Sequence, residues 1–77
     1  MASTASNQVL VTGLNQADNV SLMEQIAANA NNFVRSFNVP GGQVKIFEAP
    51  FNNHTVHVRV FQPSGAGQPE ISNGWVQ

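Results

Sequence analysis

Apolar residues change rhythm along this chain, and each rhythm predicts an element. Gln8-Val9-Leu10-Val11-Thr12-Gly13-Leu14 is a short β-branched run closed by glycine, which predicts a strand. Further on, Leu22, Ile26, Ala30, Phe33 and Phe37 recur at three- and four-residue steps, joined by Met23, Ala27 and Val34. Glu24, Gln25, Ala28, Asn31, Asn32 and Arg35 fall mostly on the other side, so the spacing predicts an amphipathic helix. Asp18, Asn19 or Ser21 can cap its start, and Ser21-Leu22-Met23-Glu24 has the spacing of a capping box. Asn29, Asn31 and Asn32 are poor helix formers, so packing must hold this helix until Pro40-Gly41-Gly42 stops it.

Two period-two runs follow, at residues 43–48 and 55–61, and predict a hairpin across residues 49–54. Pairing Ile46 with Val58 puts Val44 and Ile46 on one face with Val56, Val58 and Val60. A two-residue Asn52-Asn53 turn would instead mix the faces, so a longer loop or a bulge is expected. The outer face then carries Lys45, Phe47, Thr55, His57, Arg59 and Phe61.

The resulting order is β-α-β-β, an α+β domain with one helix packed on a three-stranded sheet. It spans residues 8–62, between an extended N-terminal arm (1–7) and a Pro/Gly-rich C-terminal tail (63–77). The expected core is Leu10, Leu22, Ile26, Phe33, Phe37, Val44, Ile46, Val58 and Val60.

Composition sharpens this picture. Charged residues are 9% of the 77, against about a quarter in an average globular chain. The net charge of -1 leaves little repulsion between copies. Arg35, Lys45 and Arg59 form no cluster, so neither a nucleic acid nor an anionic membrane is an expected partner. With no basic and apolar leader and no long apolar run, the chain reads as soluble, without signal peptide or transmembrane segment. There is no cysteine to staple so small a core, which makes association with other protein the natural source of extra stability.

Candidate chemistry is sparse. His54 and His57 lie three positions apart, on opposite faces of a strand, which does not suit a metal site. Asp18, Glu24, Glu48 and Glu70 are scattered over a turn, a helix cap, a strand and the tail, and no serine sits in a nucleophile elbow. No enzyme activity, cofactor or metal is therefore expected. The residues assigned to protein contacts are Phe47, Phe61, Ile71, Trp75 and Val76, with Trp75 either folded back on its own core or anchored in a neighbour.

Being small, cysteine-free, poor in charge and rich in Asn, Gln, Ser, Thr and Gly, with extended ends, the chain resembles phage capsid decoration proteins in composition. That resemblance implies a virion or other assembled particle, in which tails and sheet edges are buried on neighbouring subunits. The expected function is thus a non-enzymatic structural subunit, a homo-oligomer or part of a larger assembly, associating through a sheet edge, the outer face and the terminal arms. The alternative is a small protein-binding module or inhibitor acting through the 50–54 hairpin loop.

Overall fold

The computed structural model describes residues 2–3 and 15–77. The strand predicted over residues 8–14, with Leu10, lies outside the described residues. One helix, α1 (Gln16–Ala28), packs on one face of a sheet built from β1 (Ala2–Ser3), β2 (Phe33–Val39), β3 (Gly42–Phe51), β4 (His54–Pro63) and β5 (Glu70–Val76). The sheet order is β1-β5-β4-β3-β2; all neighbours are antiparallel except β1 and β5. The α+β class agrees with the sequence, whereas the sheet has more than the three strands expected.

The helix starts earlier and ends sooner than its apolar spacing suggests. Asn15 is the N-cap, its side chain accepting from the Asp18 amide at 2.8 Å, and Asp18 adds a negative charge to the first turn. Ser21 and Glu24 lie inside the helix and form no capping box at its start. At the other end the asparagines stop the helix by competing for its backbone. Asn29 adopts an extended backbone and accepts from the Asn31 amide at 2.9 Å, while the Asn32 side chain donates to the Ile26 carbonyl at 3.1 Å. One 3-10 turn, Ala30–Asn32, then leads into β2.

Phe33 and Phe37 therefore belong to a strand and are largely exposed, a correction to their place in the expected core. Their four-residue separation fits a helix face, but in the strand a register shift between Phe33 and Arg35 sets Phe33 beside Phe47 on the helix side and Phe37 beside Val44 on the outer side. Pro40-Gly41 does not end a helix but turns β2 into β3, with Gly41 at φ +87°, as the third position of a type II turn requires.

The central hairpin corrects the expected register. Asn52 and Asn53 form a two-residue turn, both with positive φ (48° and 64°), the type I′ geometry whose twist matches that of the flanking strands. Phe51 pairs with His54, Phe47 with Val58 and Ile46 with Arg59. The two apolar sets of the hairpin are thus divided between the faces. Phe47, Val56, Val58 and Val60 form the main core with Met23, Ile26 and Ala27 of α1 and with Ile71 of β5. Val44 and Ile46 point to the opposite, outer face, yet both are buried.

The C-terminal segment is also more than a tail. Residues 64–69 link β4 to β5, and β5 fills the sheet between β4 and β1. The link is held where the Ser64 amide and hydroxyl both donate to the Gly41 carbonyl, at 2.9 and 3.1 Å. Gln77 exchanges backbone hydrogen bonds with Thr55, which fastens the chain end to β4.

Candidate functional site

Two places on the described surface gather functional groups. The first is a polar cluster on the outer sheet face. Glu48, His57 and Trp75 stand side by side in the ladder, because Glu48 pairs with His57 and His57 with Trp75. The His57 ring lies flat on the Trp75 indole, with centroids 5.0 Å apart and an interplanar angle of 6°. Its Nδ1 is 3.3 Å from Glu48 Oε2, and its Nε2 is 2.9 Å from Gln77 Oε1. A glutamine amide can offer either an acceptor or a donor, so this contact can be made by either form of the imidazole. Both ring nitrogens and one ring face are engaged, so the cluster holds the His57 and Trp75 rings against each other. His54 stands apart at the hairpin tip, exposed and paired with Phe51. Among the described residues no three His, Asp or Glu side chains gather where they could hold a metal ion.

The second place is the β2 edge of the sheet. Among the described residues β2 is the last strand in the sheet order, so one side of its backbone has no strand beside it. The two-residue turn closes on the pair Val39 and Gly42, and hydrogen-bonded pairs alternate along an antiparallel ladder. Val39, Phe37 and Arg35 therefore bond to β3, while Asn38 and Ser36 direct their amides and carbonyls outward. Phe33, Val34 and Phe37 are the exposed large hydrophobics among the described residues, at 45%, 44% and 43%, and all lie on this strand. Phe33 also meets core residue Phe47 edge to face, with ring centroids 5.7 Å apart. Native edge strands are usually shielded by lysines, prolines, bulges or brevity. Here the guards are Arg35, a register shift between Phe33 and Arg35, and Pro40 just past the strand's end.

The five residues assigned to protein contacts do not come together on one surface. Phe47, 8% exposed, and Ile71, fully buried, belong to the helix-side core. Val76 is partly buried against that same core. Phe61 and Trp75 lie partly buried on β4 and β5, Phe61 opposite Val44 and Trp75 against His57. The exposed apolar residues that sequence reasoning placed in a helix are those of β2. Their signal was the alternation of Arg35, Phe37 and Val39, which the helical spacing of Phe33 and Phe37 and the register shift between Phe33 and Arg35 concealed.

The hairpin tip at 50–54 holds a tight two-residue turn rather than a projecting loop, and Phe51 beside it packs against the core. At the far end of the same hairpin a groove of about 520 Å³ lies between the Pro40-Gly41 turn and residues 62–64, lined by Asn38, Gln43 and Gln62 amides and by no titratable group. No described helix is long and apolar enough to cross a membrane. No family model matches the chain, and no curated protein or solved structure does.

Proposed function

We propose that the protein is a non-enzymatic assembly subunit that joins other protein through the open edge of β2. The observation that carries this reading is the concentration of Phe33, Val34 and Phe37 on a strand whose outward amides and carbonyls have no strand partner among the described residues. Strand addition supplies both needs at once, since backbone bonds give affinity and alternate side chains give specificity. A chain with three basic and four acidic residues also has little charge with which to repel an approaching copy. A virion or surface lattice is the finer form of the same proposal, because repeated edge contacts suit an ordered array.

The test is the solution mass by light scattering over a concentration series, for the natural chain and for Phe37→Lys. The natural chain should associate with rising concentration. A lysine at a largely exposed edge position should leave folding intact and weaken association about tenfold or more, as edge lysines do in native sheets. A natural chain that remains monomeric throughout would overturn the proposal.

A further inference from the structure

Resting on that assembly reading, we infer that the partner at the β2 edge is a second copy of this chain, added antiparallel about a two-fold axis that passes beside Ser36. Two identical edges meeting about a two-fold axis must pair so that partnered residue numbers share one sum, and the residues pointing outward fix which sums are allowed. Ser36 and Asn38 direct their backbone groups away from β3. A register with Ser36 opposite the second copy's Ser36 matches outward groups with outward groups. It also sets Arg35 opposite the second copy's Phe37, and Phe37 opposite its Arg35.

Arg35 and Phe37 lie on the outer face, in line with Ile46 and Val44 of β3. In the proposed register each exposed phenylalanine ring therefore gains a guanidinium neighbour, a favourable cation-aromatic pairing that occurs twice by symmetry. Moving the axis to Arg35 would place two like charges directly opposite one another, which is destabilising. The register shift at Phe33/Arg35 limits regular pairing at each end, so the contact centres on residues 35–37 with Val34 and Asn38 at its margins. At the other end of the sheet the edge is the two-residue β1, paired with β5 only at Glu70 and Ile71, so β2 is the longer edge strand among the described residues and the one that carries the exposed large hydrophobics. The dimer would continue each sheet into the other across the axis.

The absence of cysteine makes the register directly readable. In a hydrogen-bonded antiparallel pair the Cα atoms lie about 5.5 Å apart, inside the range of roughly 4.4 to 6.8 Å that a disulfide spans. Ser36→Cys should therefore give a covalent dimer on mild oxidation. Phe37→Cys should join far less, because the two copies of residue 37 would be diagonal neighbours about 7 to 8 Å apart. Solution mass under reducing conditions is measured on both variants and on the natural chain. Association with cross-linking through Ser36→Cys supports the inference. Association with cross-linking through Phe37→Cys, or through neither, overturns the register and leaves assembly standing. A chain that is monomeric at every concentration and cross-links through neither overturns both.

Discussion

At the scale of single residues, His57 does more for this fold than its position suggested. Sequence placed it on an outer face, available for little beyond a contact. Its side chain is only 12% exposed, clamped between Glu48 and Gln77 and stacked on Trp75. An aromatic stack contributes about 0.5 to 1.5 kcal/mol beyond the area it buries, and each hydrogen bond about 1 kcal/mol net. His57→Ala should accordingly lower unfolding free energy by about 1 to 3 kcal/mol in a denaturant titration. Uncovering one face of the lone tryptophan should also shift its emission to longer wavelength in the folded state. His57→Phe keeps a ring for stacking but loses both polar contacts, so it should recover part of the stability and most of the emission shift. If His57→Ala changed neither quantity, the stack would have no energetic role.

At the scale of elements, the Asn52-Asn53 turn decides which side chains meet the helix. Both residues hold φ in the left-handed region, where asparagine is tolerated and β-branched residues are strongly disfavoured. Asn53→Gly should stabilise the hairpin by about 0.5 kcal/mol, since Asn-Gly is the favoured type I′ pair, whereas Asn53→Val should cost about 1 to 2 kcal/mol. Thermal or denaturant unfolding of the two variants reads both signs, and equal stability would mean that the turn geometry is not maintained. The same turn shows what was legible in the sequence. Both hairpin strands could be read from their alternation, and the turn pair was visible between them, with its consequence for register. That consequence runs against the sequence expectation because mixed faces look unfavourable on a sheet with one wet side. The outer face accepts them because Ile46 lies between Arg35 and Arg59 in the ladder, whose long stems can cover apolar surface while their charges stay in water. The helix was legible in its apolar face, Met23, Ile26 and Ala27, but not in its end. Periodicity continued by chance through Ala30, Phe33 and Phe37, and the local preference of three asparagines outweighed it.

At the scale of the whole molecule, the chain's last residues determine how its assembly must be tested. For a Pro/Gly-rich tail, loss of assembly on deleting residues 63–77 would implicate the tail in contacts. The sheet order gives that deletion another meaning. β5 lies between β4 and β1, Ile71 is fully buried among Val60 and the helix-side core, and Trp75 covers His57. Nothing in the linker composition foretold this, because Glu70, Ser72 and Asn73 dilute the apolar residues, and the register shift opposite Arg59 and Val60 breaks their alternation. Removing residues 70–77 withdraws a paired strand from one side of β4 and leaves Val56, Val58 and Val60 without neighbours there. Loss of a buried isoleucine alone costs about 2 to 5 kcal/mol, and small domains have only about 5 to 15 kcal/mol of stability in total. The shortened chain should therefore lose cooperative unfolding, and any association it shows should be that of an unfolded or collapsed chain. Circular dichroism during thermal unfolding checks this. A shortened chain that still unfolds in one sharp transition near the natural midpoint would mean that β5 is a dispensable attachment, returning residues 70–77 to the role of a contact tail.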